Sequence, residues 1–315
     1  MKALGWRGAL VLAALCWGGS ATFTKTALGG MQPMTLLTVQ LAASAVVLWA
    51  ALLVRGGPLP RPTLPLVLLG VLEPALSYAF FTFGLLRTTA SNASLLTALE
   101  SFFAIGLACL FLRERLTGSR VVALVLAFAG VLALEGAAGG SFAPRLGDAL
   151  VLIGVLCVAT YVLLASRVAE EVDALTLTAY QFGFALLCVL PIAVTLWITG
   201  VESPPTGAAP SDWGAAALSG IGGYALSFLL YHYAIASVTP TTAAMVLNLI
   251  PVFGLACAVL FLGEELTAPR LIGAALILAA VAAFSREPEP GHPEPEPATQ
   301  PEEPQPKPET TGLAR

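Results

Sequence analysis

Long apolar runs alternate with short polar links along most of the chain. A membrane-crossing helix needs about 20 mostly apolar residues, and the runs bounded by charge, proline or glycine predict ten such helices. The predicted spans cover residues 7–26, 34–54, 64–86, 91–112, 119–135, 146–167, 174–199, 213–235, 241–262 and 269–285. This pattern predicts an all-α integral membrane protein with ten transmembrane helices.

The apolar pattern occurs twice. Residues 241–267 align with residues 91–117, with Leu-Phe-Leu, Glu and Leu-Thr at equivalent positions, and Gln40 aligns with Gln181. Each half holds five spans, and because five is odd the second half must enter the membrane in the opposite sense. The sequence therefore predicts two inverted five-helix repeats, residues 1–140 and 141–285, with binding sites near the midplane between them.

Composition agrees with a lipid environment. The chain is 57% hydrophobic and 11% charged, whereas an average soluble domain is about 25% charged. Nine Lys and Arg residues fall on the side of the N-terminus and four on the other side. The positive-inside rule then predicts a multi-pass protein of the cell membrane with both termini in the cytoplasm.

The last thirty residues differ in composition from the rest. Residues 286–315 hold nine prolines and seven glutamates and almost no apolar side chains to bury. Such a segment favours extended, solvated chain, so we expect a disordered cytoplasmic tail. A spacer and a docking site for a protein partner are both compatible with it.

Two acidic residues stand out because they fall in the middle of predicted spans. Glu73 and Glu100 lie about 9 residues from the nearer span boundary, close to the bilayer centre at about 1.5 Å per residue. A carboxylate at that depth is costly unless it is protonated, paired or facing water. No basic residue lies mid-span to pair with either. The functional hypothesis is a proton site or a site for a substrate amine; the alternative is a protonated carboxyl that stabilises helix packing.

Further candidate residues are aromatic or uncharged polar groups in or near the spans. Tyr224, Phe228 and Tyr231 share one helix face at spacings of four and three. The aromatic rings can instead serve packing, and His232 can make an interfacial hydrogen bond. The amides of Asn92, Asn248, Gln40 and Gln181 can either bind a zwitterion or bridge helices. The candidate substrate-binding or proton-coupling residues are Glu100, Glu73, Tyr78, Trp17, Phe81, Asn92, Tyr224, Tyr231, His232 and Asn248.

Several function classes are excluded by what the sequence lacks. It has no P-loop, HExxH or GxSxG motif, and no Cys/His set with metal-ligand spacing. The five cysteines all fall inside apolar runs. We therefore expect no enzyme activity, catalytic residue, metal or cofactor, and the absence of a basic patch argues against nucleic acid as a partner. The expected partners are a small-molecule substrate and the lipid bilayer.

The segment PVFGLACAVLFLGEELTAPRLIGAALILAAVAAF, residues 251–284, resembles the EamA-type transporters of the drug/metabolite transporter superfamily. LGEELT and the glycine-containing helix after it are the most specific part, and the resemblance extends from Arg7 to about Phe284. It implies ten helices, cytoplasmic termini, a central cavity and export of small metabolites such as amino acids. One departure is that Glu100-Ser101 stands where the second half has Ile250-Pro251. No family role is therefore carried over to Glu100.

These observations predict a secondary transporter that exports small metabolites, amino acids or related amphipathic compounds, by alternating access. Coupling to protons is part of the hypothesis because of the mid-span carboxylates. The alternative is a non-transporting membrane scaffold or a membrane-embedded enzyme.

Overall fold

The computed structural model describes residues 5–85, 87, 96–97, 99–114, 116–134 and 146–285, and within these the regular structure is helical. The predicted tail and Asn92 lie outside the described residues. The helices are α1 Gly5–Ala27, α2 Pro33–Arg55, α3 Leu64–Gly70, α4 Ser77–Leu85, α5 Glu100–Phe111, α6 Gly118–Leu134, α7 Leu146–Glu171, α8 Ala174–Ile198, α9 Pro210–Leu218, α10 Ser227–Ile235, α11 Pro240–Leu247, α12 Ile250–Leu262 and α13 Ala268–Phe284.

Six of the ten predicted spans are long and apolar enough to cross a membrane as helices in the described part of the chain. They are Pro33–Arg55, Leu64–Gly84, Leu146–Glu171, Ala174–Ile198, Pro210–Ile235 and Pro240–Leu262. Three shorter apolar helices, α5, α6 and α13, correspond to predicted spans as well. The 23-residue α1 corresponds to the first predicted span.

The outer faces of the helices are apolar. Large side chains such as Val54, Leu187, Ile198 and Leu260 are at least 64% exposed. A soluble monomer rarely exposes such surface over many helices. The structure is therefore that of an integral membrane protein, with these side chains facing lipid.

The helices pack in a mixed order rather than as sequential hairpins. α1 packs against α10 and α12, and α7 packs against α4 and α5. α2 packs against α8, and α6 packs against α13. Many of these contacts join the first half of the chain to the second, so the interior is built from both halves.

Two of the long helices contain a π-helical segment that the apolar pattern did not predict. The first, Val71–Leu76, joins α3 to α4, and Glu73 within it has an extended backbone, with φ −141° and ψ 122°. The second, Ser219–Leu226, joins α9 to α10. Pro74 explains the first break, since proline has no N–H to donate to the helix. Residues around the second break include three glycines, which are weak helix formers.

Glutamine side chains hold these segments to neighbouring helices. Gln181 of α8 donates a 2.8 Å hydrogen bond from Nε2 to the carbonyl of Glu73. Gln40 of α2 donates from Nε2 to Ser219 Oγ at 2.8 Å and to Thr24 Oγ1 at 3.0 Å. Of the two alternatives for these amides, the structure supports helix bridging. Polar backbone groups have no water to bind inside a bilayer, so such bridges satisfy groups that a break leaves free.

Glycines allow the same segments to approach the glutamine backbone closely. A Cβ placed on Gly220 would lie 2.7 Å from the carbonyl oxygen of Gln40. A Cβ on Gly70 would collide with the carbonyl of Gln181 in the same way. Small residues let transmembrane helices pack backbone to backbone.

Two acidic residues in the links between helices satisfy the first turns of α8 and α2. Asp173 accepts a hydrogen bond from Thr176 N at the start of α8 and pairs with Arg55. Burial acts to raise the pKa of Asp173, but the hydrogen bonds from Arg55 and Thr176 outweigh it and hold that pKa below its usual value. Glu202 accepts bonds from Met34 N and Thr35 N at 3.0 and 2.8 Å, which satisfies the first turn of α2.

We predict that Gly220→Ala destabilises the protein, while Gly222→Ala does not. The methyl of the first variant meets the α2 backbone, and overpacking of this kind costs about 1–3 kcal/mol. Gly222 lies in the same π-helical segment, and a Cβ there would meet nothing within 4 Å. Thermal unfolding of both variants in the same detergent measures the difference. Equal midpoints would contradict the close approach of this segment to α2.

Candidate functional site

Two adjoining cavities lie between the helices. The first, which we call the carboxylate cavity, has a volume of about 380 Å³ and is lined by Glu73, Glu100 and a set of aromatic side chains. The second, the ion-pair cavity, has a volume of about 520 Å³ and reaches Lys25, Glu264 and Arg270. Glu100 lines both cavities, and so do Trp17 and Phe81. These volumes fall within the range of small-molecule sites, about 300–1,000 Å³.

Glu73 enters the carboxylate cavity from the first π-helical segment. Its extended backbone interrupts the helix at this point, and Gln181 holds the carbonyl that the break leaves free. The residue is 6% exposed, and its Oε2 atom has no hydrogen-bond partner among the described residues. A buried carboxyl oxygen without a partner is costly, so this atom is available to a ligand or a proton.

Glu100 is the first residue of α5 and is less buried than Glu73. Beside it, Ser101 Oγ donates a 3.2 Å hydrogen bond to Oδ1 of Asn248. Asn248 Nδ2 donates to the carbonyls of Ala244 and Met245 at 3.2 and 3.3 Å. Asn248 therefore links the second half of the chain to the start of α5, and it lines the ion-pair cavity.

Aromatic rings from both halves form much of the wall of the carboxylate cavity. The ring of Trp17 lies 4.7 Å from that of Phe228 and 5.9 Å from that of Tyr231, centroid to centroid. The rings of Tyr78 and Tyr224 are 5.5 Å apart. The hydroxyl of Tyr231 is buried without a hydrogen-bond partner among the described residues. The site thus combines ring faces with carboxylates and unpaired polar atoms.

Tyr161 belongs to the same wall, although the sequence analysis did not select it. Its ring lies 6.0 Å from Phe228 and 6.1 Å from Tyr231. It is an isolated aromatic residue in an apolar helix, so periodicity gives no signal. The internal repeat does give a signal. Tyr161 aligns with Ser20 in the register that matches Gln40 with Gln181, and Ser20 also lines the carboxylate cavity.

His232 lies behind this wall and lines neither cavity. Its Nε2 is 2.8 Å from the hydroxyl of Tyr161, and its Nδ1 is 2.8 Å from Thr178 Oγ1. Thr178 donates its only hydroxyl proton to the carbonyl of Ala174, at 2.6 Å. The Nδ1–H of His232 therefore donates to Thr178, and Nε2 pairs with the Tyr161 hydroxyl. The imidazole orients this hydroxyl.

The two halves differ chemically where they meet. Gly223 occupies the position equivalent to Glu73 in the second half, and any side chain there would collide with Ser20. Ile250 occupies the position equivalent to Glu100. Both carboxylates of the carboxylate cavity therefore come from the first half, and packing prevents a matching group at Gly223.

An ion cluster closes the other end of the ion-pair cavity. Lys25 Nζ lies 2.7 Å from Glu264 Oε1, and Arg270 lies 3.2 Å from Glu264 Oε2. The hydrogen bond from Lys25, together with both positive charges, holds the pKa of Glu264 below its usual value. The cluster joins the end of α1 to the link before α13. The sequence analysis used Lys25 and Arg270 only for orientation and Glu264 only for the repeat and the family resemblance, and it did not bring the three together.

The structure brings together most of the residues that the sequence selected. Trp17, Glu73, Tyr78, Phe81, Glu100, Tyr224 and Tyr231 line the carboxylate cavity. Asn248 lies at the adjoining cavity, His232 lies behind the wall, and Asn92 lies outside the described residues. Within the described part of the chain, no group of three or more His, Cys, Asp or Glu residues could hold a metal ion.

A helical membrane bundle with a polar cavity between its halves is the architecture of a membrane transporter, and comparison with known proteins agrees. The profile of the EamA-like transporter family matches residues 6–135 and again residues 145–286. The chain belongs to the EamA-like transporter family and is a multi-pass membrane protein. The resemblance read from the LGEELT segment is thereby confirmed.

Three relatives illustrate what the chain is similar to. It is 25% identical to an uncharacterised transporter of Archaeoglobus fulgidus, covering 86% of this chain and 95% of that protein. It is 26% identical to a probable terminal-alkyne amino-acid exporter of Streptantibioticus cattleyicolor, covering 88% and 92%. It is 28% identical to a probable amino-acid metabolite efflux pump of Escherichia coli, covering 86% and 91%.

A solved crystal structure has the same fold. It superposes with a TM-score of 0.76 at 19% identity and covers 88% of this chain and 95% of that chain.

We predict that His232→Leu lowers the free energy of unfolding by about 0.5–2 kcal/mol, because it leaves the buried Tyr161 hydroxyl without its hydrogen-bond partner on His232. Tyr231→Phe, the neighbouring position, serves as the control. It removes a hydroxyl that has no partner and should be neutral or stabilising. Thermal unfolding in detergent measures both. A destabilisation by Tyr231→Phe as large as that by His232→Leu would contradict these hydrogen-bond assignments.

Proposed function

We propose that this protein is a secondary transporter that exports small metabolites, amino acids or related amphipathic compounds, by alternating access. The observation that carries the proposal is the carboxylate cavity, where Glu73 and Glu100 face aromatic rings between the two halves of the chain. The names of two relatives, an amino-acid exporter and an amino-acid metabolite efflux pump, support this class of substrate.

The proposal includes ten spans arranged as inverted repeats, residues 1–140 and 141–285. The family profile matches the chain twice, at boundaries close to these. Helix contacts also come in equivalent pairs, since α1 with α10 corresponds to α7 with α4, and α1 with α12 corresponds to α7 with α5. The close approach of Gly70 to Gln181 has its equivalent in that of Gly220 to Gln40. Such pairing is expected when two halves rock against each other around a site.

In this mechanism the ion cluster acts as a closing contact for one state. Lys25, Glu264 and Arg270 tie the end of α1 to the link before α13. All three side chains are partly exposed, at 65%, 28% and 35%, so water can replace their contacts at modest cost. The positive-inside pattern favours both termini in the cytoplasm and location in the cell membrane.

Proton coupling is assigned to Glu100. It lines both cavities, so a proton or a substrate can reach it from either. A mid-membrane carboxylate that alternates between neutral and charged forms can couple proton movement to a conformational change.

The first test is transport by the purified full-length protein in proteoliposomes. A panel of labelled amino acids and related amines is offered with and without a proton gradient. We expect time-dependent flux of at least one compound, above that of protein-free liposomes, and faster flux with the gradient. If folded protein moved none of them, the transport proposal would be wrong.

The second test concerns Glu100. Glu100→Gln should abolish gradient-driven flux but spare exchange at equal pH under saturating substrate, since the amide cannot release a proton. Glu171→Gln, an exposed position at the end of α7, is the control and should behave like the unaltered protein. Unchanged pH dependence in the Glu100 variant would exclude this residue as the proton site.

A further inference from the structure

The ionisable side chains with carboxyl or basic groups that line the carboxylate cavity are all acidic. Glu73 and Glu100 line it, and none of its described lining residues is Lys, Arg or His. In a low-dielectric interior an unpaired charge is strongly disfavoured, and a ligand of opposite charge relieves that cost. The Oε2 atom of Glu73, buried and without a partner among the described residues, is one point at which such a ligand would bind.

The aromatic wall favours the same kind of ligand. Trp17, Tyr161, Phe228 and Tyr231 form a connected group of rings with centroid distances of 4.7–6.1 Å. An ammonium group near aromatic faces is attracted by the ring quadrupole, most strongly at tryptophan. The rings also bury the apolar body of a ligand. Carboxylates beside ring faces therefore suit a cation with an apolar body.

The cavity offers no basic side chain to a substrate carboxylate. Lys25 and Arg270 line the adjoining cavity, but both pair with Glu264. Lys25 lies eight residues beyond Trp17 in α1, about 12 Å along a helix that rises 1.5 Å per residue. In an α-amino acid a single carbon separates the ammonium from the carboxylate. An α-amino acid whose ammonium lies beside Trp17 therefore does not extend its carboxylate over this length of α1 to Lys25.

The start of α5 does not supply the missing positive charge. A helix N-terminus attracts anions, but Glu100 itself occupies the first turn of α5. A substrate carboxylate placed there would meet like charge. The carboxylate of a substrate would thus be repelled by Glu100, whereas the decarboxylated analogue has no group that is repelled.

We propose that the carboxylate cavity selects organic monoamines with an aromatic or apolar body over zwitterionic amino acids. This inference rests on the proposed function and narrows its substrate class. The ammonium lies between Glu73 and Glu100, and the body packs against Trp17 and Tyr231. Discrimination comes from the absence of a cationic partner for a carboxylate as much as from attraction of the amine.

The experiment compares three compounds that share one phenyl body: phenethylamine, phenylalanine and 3-phenylpropionate. Binding to purified full-length protein in detergent is followed by tryptophan fluorescence and by calorimetry. We expect phenethylamine to bind about tenfold or more tightly than phenylalanine, and 3-phenylpropionate not to bind. Phenylalanine binding as tightly as phenethylamine, or no binding of phenethylamine, would overturn the inference.

Variants connect the selectivity to the carboxylates. Glu73→Gln and Glu100→Gln should each weaken phenethylamine binding about tenfold or more while narrowing its advantage over phenylalanine. Glu171→Gln is the control for the loss of one negative charge elsewhere. Size-exclusion profiles and thermal midpoints establish that each variant is folded. Loss of affinity in either folded variant supports the role of the carboxylates. Full affinity in both folded variants would contradict the role of the carboxylates.

Flux measurements separate this inference from the proposed function. If proteoliposomes move phenylalanine but not phenethylamine, the protein is a transporter and the inferred selectivity is wrong. If they move neither these nor any other compound of the panel, the proposed function fails as well. Transport of phenethylamine in preference to phenylalanine supports both.

Discussion

The requirement that backbone polar groups be satisfied without water governs this structure. The helix that begins at Leu64 breaks at Glu73, and in lipid a free carbonyl there would cost several kcal/mol. The side-chain amide of Gln181 donates a hydrogen bond to this carbonyl. Pro74 causes the break and α8 stabilises it, and the break in turn sets the position of Glu73 in the cavity.

The two halves of the chain share packing features but differ in their charged groups. Equivalent glycines pack against equivalent glutamines in the two halves, which indicates a shared framework. The charged groups do not follow this equivalence. Gly223 holds the position equivalent to Glu73 in the second half, and it has no room for a side chain. One half supplies both carboxylates, and both halves supply the rings. A substrate between them would meet charge on one side and mainly apolar or hydroxyl-bearing surface on the other.

His232 illustrates how a candidate residue can contribute without touching the cavity. Its two ring nitrogens pair with Thr178 and Tyr161. What it contributes is the orientation of a tyrosine in the aromatic wall. His232 would affect a ligand by orienting Tyr161, just as Gln181 would affect a ligand by holding the backbone of Glu73.

The sequence alone determined the membrane class, the approximate helix bounds, the internal repeat and the family. These follow from hydropathy and from side-chain types that repeat along the chain, and both are local properties. It also selected Glu73, Glu100 and Trp17, because charge and bulk at mid-span are unusual. The tertiary structure alone decided the π-helical breaks, the inclusion of Tyr161, the exclusion of His232 and the joining of Lys25 to Glu264. Each of these depends on a partner far away in the chain, such as Gln181 for Glu73, and the hydrophobic pattern of one helix carries no information about which distant side chain will face it.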